Sequence, residues 1–328
     1  MKAVIGDPTD DADWAAELKW DGLRTQVLTD GAEIAIRSSR GRDVTSQFPE
    51  LNDFGRRLGT SAILDGELVV FDGDRPSFPR VLQRLNSRPT EQSLSANPAV
   101  YVVFDLLVLD GNPLLDLPYH ARRQVLADLV SDDPRWRVPP SVDGGASQLL
   151  TLARQRDLEG IVIKRVDSPY RPGARTTNWR KVKIRLQQEF VVGGWLAGQG
   201  SLEDGIGSLV LGVWDGTELV VAGLAGSGLD DGARRQLAEM MVERPTPPFA
   251  SVPRFPRRPT WVEPTLVAEI EFGDWPTEGM LRHPVYLGLR DDKDPSEVVR
   301  EIAAPGQHTV PPAETATPEA PGDQTDRP

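Results

Sequence analysis

The chain contains no cysteine among its 328 residues and only three histidines. The first absence excludes disulfide bonds, thiolate zinc sites and cysteine nucleophiles, and the two shortages together disfavour a transition-metal centre. An oxygen-ligated Mg²⁺ or Mn²⁺ is the metal chemistry that remains. No run approaches the roughly 20 apolar residues that span a bilayer, and no apolar stretch follows a basic start within Met1–Asp13. We therefore expect a cytoplasmic protein with no membrane partner.

Positive charge is also scarce, because 37 Lys and Arg stand against 49 Asp and Glu and the net charge is −12. Taken alone, this balance argues against a nucleic-acid partner, since neutralising phosphates is the main sequence-independent contribution to such binding. The distribution reverses that interpretation. Residues 1–190 hold 26 Lys and Arg against 27 Asp and Glu, whereas residues 191–328 hold 11 against 22. Between 161 and 185, eight basic residues accompany the single acid Asp167, and this stretch indicates phosphate binding.

The length predicts two domains, and 39% hydrophobic with 26% charged residues is the composition of a soluble globular protein. The front part alternates strands and helices. Apolar, β-branched runs closed by Asp-Gly turns predict strands at Leu64–Phe71 and Tyr101–Asp110. Helical spacing predicts a helix at Tyr119–Val130, with an apolar side formed by Val125, Leu126, Leu129 and Val130. This order indicates an α+β fold.

From about Glu189 the pattern changes to short strands with frequent glycine and one polar helix. The predicted elements are strands at Glu189–Trp195, Ser208–Trp214, Leu219–Leu224 and Thr265–Phe272 and a helix at Asp230–Glu243. Such a set suits a small barrel of the OB type. We place the α+β domain at 1–185 and the barrel at 186–302. Residues 303–328 are rich in proline and poor in apolar residues, so we expect a disordered tail.

The most informative short segment is E-L-K-W-D-G-L-R at Glu17–Arg24. Its Lys19 lies beside a turn-forming Asp-Gly pair and within reach of two carboxylates and an arginine. An amine in such a setting can act as a nucleophile if its pKa is lowered. A surface lysine before a hairpin turn gives the same local pattern, so this segment alone leaves both interpretations open.

Further segments follow downstream in a characteristic order. They are R-S-S-R-G-R-D at Arg37–Asp43, D-G-E-L at Asp65–Leu68, Y-V-V-F-D at Tyr101–Asp105, E-G-I-V-I-K at Glu159–Lys164, W-R-K-V-K at Trp179–Lys183 and L-R-D-D-K at Leu289–Lys293. In this order the sequence resembles the covalent nucleotidyltransferase superfamily, in particular the ATP-dependent DNA ligases of the bacterial end-joining type. The resemblance covers about residues 14–300. It implies an α+β fold in which a nucleotidyltransferase (ATP-grasp-like ligase) adenylation domain precedes an OB-fold β-barrel.

The resemblance implies a role for each matched residue at the nucleotide. Lys19 matches the lysine that attacks the α-phosphate of ATP and becomes lysyl-AMP. Glu17 matches the residue that reads the adenine amino group, and Phe104 the aromatic that stacks on the base. For Phe104, a buried strand residue is an equally simple interpretation.

Several basic residues match phosphate and ribose contacts. Arg24 resembles the family's contact to the nucleotide, and Ser39 with Arg40 resembles the site that holds the 5′-phosphate of a nick, for which a planar guanidinium is suited. Arg175 lies where the family places another contact to the nick. A solvated surface arginine is the alternative for Arg24 and Arg40, and a solvated basic strand is the alternative for Arg175.

Two acids and two lysines complete the core motifs. Glu67 resembles the carboxylate near the ribose, and Glu159 the one that binds the catalytic metal, so both are candidate Mg²⁺ or Mn²⁺ ligands. Lys181 and Lys183 lie two apart on a predicted strand and therefore share a face, from which both can contact the α-phosphate. Satisfied strand-end acids and a solvated basic strand are the corresponding alternatives.

The last motif lies on the barrel, where Arg290 and Lys293 match residues that orient the β and γ phosphates. In the family this domain swings in for that step and then away to admit DNA. A plain acidic turn is the alternative. The barrel segments at Gly207–Gly216, Ala222–Leu229 and Leu281–Arg290 resemble the bacterial ligase barrel more than that of mRNA capping enzymes, which favours DNA ends as the substrate.

Two features depart from the family pattern. Only 18 residues precede Lys19, so we expect no separate N-terminal DNA-binding domain, and the barrel segment is strongly acidic. We therefore expect weak, salt-sensitive affinity for nicked or broken double-stranded DNA. The end-joining resemblance implies a monomeric bacterial protein associated with the nucleoid and, as a recruiting partner, Ku. No polymerase-like or nuclease-like segment is expected in the chain.

Two alternatives to a DNA ligase stay open from the sequence. An RNA ligase shares the core motifs, and joining of RNA-containing nicks distinguishes it. A catalytically weak DNA-end-binding protein that keeps the scaffold is the other, and the presence of every core lysine and carboxylate speaks against it.

Overall fold

A computed structural model of the chain describes residues 1–184, 186–200, 203, 205–276 and 279–301. Strands that end at or before Lys183 belong to two sheets, and those from Leu186 onward belong to a third. The predicted domain limits at 185 and 302 and the tail at 303–328 lie outside the described residues. The division into domains stays a prediction.

The elements of the described residues are named in chain order. The strands are β1 (Lys2–Ile5), β2 (Trp14–Lys19), β3 (Leu23–Asp30), β4 (Ile34–Ser38), β5 (Ser61–Asp72), β6 (Arg75–Pro76), β7 (Ala99–Leu109), β8 (Asn112–Pro113), β9 (Trp136–Arg137), β10 (Val142–Asp143), β11 (Gly160–Arg165), β12 (Arg175–Lys183), β13 (Leu186–Ala197), β14 (Ile206–Asp215), β15 (Glu218–Ala225), β16 (Glu243–Arg244), β17 (Thr260–Phe272) and β18 (Val285–Leu289). The helices are α1 (Asp53–Leu58), α2 (Phe78–Leu85), α3 (Glu91–Ala96), α4 (Tyr119–Leu129), α5 (Ala146–Gln155) and α6 (Asp231–Met240). Each strand and helix predicted from the sequence overlaps one of these elements.

The larger front sheet has the order β4, β3, β5, β7, β8, with β6 beside β5 and β9 beside β7. Along β3 buried and half-buried residues alternate, as a strand with one face on the core requires. Helices α2 and α4 pack on this sheet, and their Phe78 and Leu126 join Leu64, Leu68 and Val103 in one fully buried core.

The smaller front sheet has the order β1, β12, β11, β2, β10. Helix α5 covers one face of it, where Leu150 and Ala153 pack against Ile161 and Ile163. The opposite face carries Glu17 and Lys19 of β2 and Lys181 and Lys183 of β12. The sheet thus has one apolar face that a helix covers and one face with charged side chains.

The third sheet runs in the order β15, β14, β13, β17, β16, with β18 beside β17, and its pairs are antiparallel. The long strands β13 and β17 shift register between Val192 and Gly194, which bends them and curls the sheet. The curled face encloses a core of its own that includes Phe190, Leu211 and Ile270. This is the small barrel that the sequence predicts for the second half.

Helix α4 packs its predicted apolar side on the core of the larger front sheet. Leu126 and Val130 are buried there, and Val125 and Leu129 pack against the same core. Tyr119 and Arg122 are buried as well, and the Arg122 guanidinium forms two hydrogen bonds with the Asp105 carboxylate on β7, at 2.8 and 2.9 Å. Hydrophobic spacing cannot predict the burial of Arg122, because a buried arginine is tolerated only when a distant acid pairs with it.

The turn after Lys19 joins the two front sheets. Strand β2 ends at Lys19 in the smaller sheet, and β3 begins at Leu23 in the larger one. The hairpin interpretation of this segment is therefore wrong, because β2 and β3 are not partners. At Gly22 an added Cβ would lie 2.3 Å from the carbonyl oxygen of Leu68 and 2.9 Å from Cγ of Glu67. Only glycine lets the turn approach β5 so closely.

We expect Gly22→Ala to lower the free energy of unfolding by about 1–3 kcal/mol, because the methyl group must displace the β5 backbone. Equilibrium urea denaturation measures this. Gly232→Ala in α6, where only the Asp230 side chain approaches the new Cβ, should change the same quantity by less than about 1 kcal/mol. Equal effects of the two substitutions would contradict the close approach at Gly22.

Candidate active site

A cavity of about 540 Å³ opens between the two front sheets and the barrel. Its lining includes every site residue predicted from the sequence, namely Glu17, Lys19, Arg24, Ser39, Arg40, Glu67, Phe104, Glu159, Arg175, Lys181, Lys183, Arg290 and Lys293. Residues from seven separate stretches of sequence thus converge on one space. The individual roles given to them stay predictions.

The register of three strands explains why the lysines meet. Strand β11 lies between β2 and β12, and Gly160 lies opposite Lys19 on one side and opposite Lys183 on the other. Residues directly opposite one another in a sheet project to the same face. A Cβ at Gly160 would lie 2.0 Å from the carbonyl oxygen of Val182, so this position holds the strands together at close range.

A second row lies two residues along the same strands. Val162 of β11 lies opposite Glu17 on β2 and opposite Lys181 on β12. Because the side-chain period of a strand is two, this row shares its face with the first. The predicted base-reading acid and the second predicted phosphate-binding lysine therefore project into the same cavity as Lys19.

Lys19 forms an ion pair with Glu159 in the ligand-free site. The Lys19 side chain is 24% exposed and that of Glu159 is 6% exposed. Burial alone would lower the pKa of Lys19, but the Glu159 carboxylate outweighs it and raises the pKa above its usual value. In the ligand-free site the Lys19 amine is thus held as ammonium. It has to lose a proton before it can act as a nucleophile.

The two lysines of β12 share one carboxylate. Glu301 contacts Nζ of Lys181 through Oε1 and Nζ of Lys183 through Oε2, the latter at 2.9 Å. Burial and the neighbouring Lys183 ammonium lower the pKa of Lys181 to about 8, whereas Glu301 raises that of Lys183. Burial would raise the pKa of Glu301, but the two ammonium groups lower it to about 2.

Glu67 and Asp21 also line the cavity, but nearby cations offset less of the cost of burying their negative charge. Burial raises the pKa of Glu67 to about 8, although Lys19 and Arg24 oppose the shift. Burial and the nearby Glu159 raise the pKa of Asp21 to about 7. An added cation would stabilise the ionised form of such buried carboxyl groups.

The acids fit a hard divalent cation. No group of three acidic or imidazole side chains within the described ranges is arranged as a complete metal site. Mg²⁺ is commonly held by one or two carboxylates together with waters and substrate phosphates. Glu159 and Glu67 supply that number of ligands, and the raised pKa of Glu67 marks a carboxyl that a cation would stabilise.

Glu17 is held from two sides. The Tyr119 hydroxyl donates to Oε1 of Glu17, and the Lys164 ammonium donates to Oε2 at 2.8 Å. Lys164 also donates to the backbone oxygen of Phe104 at 3.3 Å and lies 4.7 Å from the Phe104 ring centroid. One buried lysine therefore ties the predicted base-reading acid to the predicted base-stacking ring.

Tyr119 and Lys164 have no role among the predictions from the sequence. Lys164 could have been found, because it lies at the end of E-G-I-V-I-K and two residues from the cavity-facing Val162. In the sequence, Tyr119 is only the first residue of a predicted helix, and no local pattern connects it with Glu17. Phe104 is half-buried and packs edge to face on Trp179 at 6.2 Å, so it is a wall of the cavity and not a fully buried strand residue.

Arg24 is fixed inside the site and is not a surface arginine. Its Nε and Nη2 donate to the two oxygens of Asp65 at 3.1 and 2.7 Å. The guanidinium lies 5.5 Å from the Phe104 ring centroid and 5.8 Å from that of Trp179. Burial would lower the pKa of Arg24, but Asp65 raises it, so the charge is permanent.

The barrel contributes two cations that are both paired. Arg290 binds the Asp292 carboxylate at 2.7 and 2.8 Å and Glu269 at 2.6 Å. Lys293 pairs with Glu189 at 2.6 Å. The segment Leu289–Lys293 is thus an ordered charge network and not a plain acidic turn.

The predicted nick contacts bind the barrel in this arrangement. Ser39 Oγ donates to the backbone oxygen of Asp292 at 3.0 Å, and Arg40 Nη1 donates to the backbone oxygens of Asp291 and Lys293 at 3.3 and 3.0 Å. Arg175 lines the cavity at the start of β12. Ser39 and Arg40 can bind another ligand through these groups only after the barrel loop moves.

Comparison with known proteins places this fold and site in one class. Residues 5–183 match the model of the ATP dependent DNA ligase domain, and residues 203–293 match that of the ATP dependent DNA ligase C terminal region. The chain belongs to the ATP-dependent DNA ligase family. The family and the fold class expected from the sequence are confirmed: a nucleotidyltransferase domain precedes an OB-fold.

Two of the relatives are bacterial proteins that are named for non-homologous end joining. The multifunctional non-homologous end joining DNA repair protein LigD of Mycobacterium tuberculosis is 40% identical over 295 residues, which are 88% of this chain and 37% of LigD. LigD of Pseudomonas aeruginosa is 33% identical, over 89% of this chain and 35% of the relative. A solved structure of mycobacterial DNA ligase D complexed with ATP and MES is 37% identical, has a TM-score of 0.65 and covers 92% of this chain and 97% of that one. The chain spans little more than a third of the length of the LigD relatives.

Among the described residues, no helix has the length and apolar character that crossing a membrane requires.

We expect Glu159→Gln to lower the pKa of Lys19, because the carboxylate that raises it is lost while burial and the Lys183 charge, which lower it, remain. NMR titration of ¹⁵N-labelled lysine Nζ, without nucleotide or metal, measures this directly. The wild-type ammonium should stay protonated to a higher pH than that of the variant. Glu263→Gln, a surface substitution on the barrel, should leave the titration unchanged, and a Lys19 pKa that is equal in wild type and Glu159→Gln would contradict the ion pair.

Proposed function

We propose that the chain is an ATP-dependent DNA ligase that joins a 5′-phosphate to a 3′-hydroxyl at nicks through a lysyl-AMP intermediate. The convergence of Lys19, Lys181, Lys183, Arg290 and Lys293 on one cavity carries this proposal. Several cations around one candidate nucleophilic amine are what binding and reaction of a triphosphate require. Membership in the ligase family supports the reaction class.

The first step forms a phosphoramidate. Lys19 Nζ loses its proton and attacks the α-phosphorus of ATP, a nitrogen–phosphorus bond forms, the bond to the bridging oxygen breaks and pyrophosphate leaves. Lys181 and Lys183 lie on the same face and would oppose the charge that develops on the α-phosphate. Arg290 and Lys293 would orient the departing pyrophosphate from the barrel.

The second and third steps use DNA. A 5′-phosphate oxygen attacks the phosphorus of lysyl-AMP and releases the Lys19 amine, and the 3′-hydroxyl then attacks the activated 5′-phosphorus and releases AMP. Arg40, Ser39 and Arg175 are the candidate contacts to the 5′-phosphate. Since Arg40 and Ser39 now bind the barrel loop, the barrel has to withdraw before these steps.

Glu159 and Glu67 would hold a Mg²⁺ or Mn²⁺ ion. When bound, the ion would neutralise Glu159 and part of the phosphate charge, which favours the neutral form of the Lys19 amine. The protein itself orients the Lys19 amine. The ion pair with Glu159 fixes the Lys19 side chain, and the row through Gly160 fixes its distance from Lys183.

The setting we propose is bacterial end joining, because the LigD relatives are end-joining repair proteins by name. Nicked or broken double-stranded DNA is the substrate, Ku is the candidate recruiting partner, and the protein acts as a cytoplasmic, nucleoid-associated monomer. The relatives are multifunctional and much longer than the part matched here, so their other activities lie outside this proposal.

Mixing the protein with ATP labelled at the α-phosphate and Mg²⁺, without DNA, should transfer label to the denatured chain. Lys19→Ala should take up none, because no other side chain replaces the nucleophile. A wild type that stays unlabelled even after pyrophosphate treatment to remove bound AMP would reject the proposal and leave the DNA-end-binding alternative. Sealing of nicks in DNA but not of nicks with RNA strands would then separate a DNA ligase from an RNA ligase.

Tyr119 is the positioning residue that we expect to affect base selection. An ionised Glu17 can only accept hydrogen bonds, which suits the amino group of adenine and disfavours the oxygen at the same place in guanine. The buried Tyr119 hydroxyl donates to Glu17 and lies 3.1 Å from Ser141 Oγ. It thereby limits rotation of the carboxylate.

We expect Tyr119→Phe to reduce the preference for ATP over GTP about tenfold, the effect of losing a hydrogen bond to a charged group. The ratio of kcat/KM for lysine labelling with the two nucleotides measures this. Tyr286→Phe, in the barrel, should keep the wild-type ratio. A Tyr119→Phe variant that loses activity equally with both nucleotides would show a structural role only.

A further inference from the structure

We infer that Glu301 occupies the place of the α-phosphate of ATP and competes with the nucleotide for Lys181 and Lys183. The inference concerns regulation of the proposed ligase site and rests on that proposed function. It gives a role to a carboxylate that no sequence motif includes. The consequence is a site that is closed by its own chain until a nucleotide displaces Glu301.

The geometry of the contact is that of a bridging anion. Each carboxylate oxygen of Glu301 binds one lysine Nζ, that of Lys181 and that of Lys183. The three side chains are largely buried, at 14% exposure for Glu301, 15% for Lys181 and 9% for Lys183. Two oxygens on one centre thus span two ammonium groups, as two non-bridging oxygens of a phosphate would.

Simultaneous binding of Glu301 and a nucleotide phosphate is unfavourable for two reasons. The ammonium groups of Lys181 and Lys183 are already engaged, and Lys183 also donates to the backbone oxygen of Gln187. A phosphate placed beside Glu301 would bring like charges together in a buried site that already holds Glu159 and Glu189. The two anions therefore exclude one another.

The backbone around Glu301 is attached to the barrel. Its N–H donates to Oε1 of Gln188 at 3.1 Å, and Nε2 of Gln188 donates to the oxygen of Val299 at 3.4 Å. Val299 forms a bridge with Trp214, and Arg300 donates to the oxygen of Trp275 at 2.6 Å. The backbone of Glu301 therefore moves with the barrel. A nucleotide that also contacts Arg290 and Lys293 has to displace the Glu301 side chain, whereas withdrawal of the barrel removes the whole residue from the lysines.

An internal competitor lowers the apparent affinity for its ligand by the fraction of molecules in which the site is free. A nucleotide that brings a full triphosphate gains contacts to Arg290 and Lys293 in exchange, whereas a single small anion does not. Glu301 would thus keep Lys181 and Lys183 paired when no nucleotide is bound. It would favour ligands whose other contacts offset the loss of these ion pairs.

The test measures the dissociation constant of α,β-methylene ATP, which cannot transfer AMP, by calorimetry on the full chain. We expect Glu301→Gln to bind about threefold to tenfold more tightly than wild type, because the competing anion is gone. Glu263→Gln is the matched control, since it removes the same charge from a surface pair with Arg244 at 3.5 Å. Its dissociation constant should equal that of wild type. Adenosine, which lacks phosphate, should bind wild type and Glu301→Gln equally.

Unchanged or weaker binding of α,β-methylene ATP by Glu301→Gln would overturn the inference. Tighter binding of adenosine as well would also overturn it, because direct competition acts on the phosphate alone. If Glu301→Gln does not fold, Glu301→Asp decides: its side chain keeps the charge but is shorter by one methylene, which weakens both contacts to the lysines. Glu301→Asp should therefore bind the nucleotide more tightly than wild type, and equal or weaker binding rejects the competition. Wild type that fails to bind nucleotide or to label Lys19 would reject the proposed function itself, whereas normal labelling with no effect at Glu301 rejects only the role of Glu301.

Discussion

The site depends on the register of β11 between β2 and β12. Gly160 has a lysine opposite it on each side, Lys19 and Lys183, and its missing side chain permits an approach in which a Cβ would lie 2.0 Å from a neighbouring carbonyl. A shift of one residue in either pairing would turn the lysines to the face that α5 covers. The core on that side includes Ile161 and Ile163 and fixes the register. It thereby fixes the face on which Lys19 and Lys183 lie.

Charge balance in the cavity follows from this geometry. A sheet that gathers cations in a partly buried space is stable only if each cation finds an anion or a carbonyl. Lys19 has Glu159, the β12 lysines have Glu301, and Arg40 has the barrel loop. Binding of a phosphate in this cavity would therefore be an exchange, in which a phosphate oxygen replaces an internal oxygen. The net gain in binding free energy would be smaller than the number of cations suggests. Weak, salt-sensitive DNA binding stays a prediction from the composition.

The sequence predicts several of the strands and helices, the family and the cavity residues that belong to the motifs, because each motif is short and lies on one element. It does not predict the partners that hold those residues. Tyr119 is 102 residues from Glu17, and Glu301 is 118 residues from Lys183, so no periodicity connects them. The hairpin interpretation of Lys19 is wrong for the same reason: whether an Asp-Gly turn returns to its own sheet or crosses to another depends on long-range pairing of β3 with β5.

The acidity of the barrel has a specific explanation where it meets the cavity. Glu189, Glu269 and Asp292 surround Arg290 and Lys293 and hold these cations in place. Glu301 pairs with Lys181 and Lys183 of β12 and thereby links the barrel to a front sheet without a nucleotide. In the proposed reaction, the phosphate of lysyl-AMP would take the place of Glu301, and repulsion between the two would favour withdrawal of the barrel. The negative charge that is expected to weaken DNA binding would then also help to open the site for DNA.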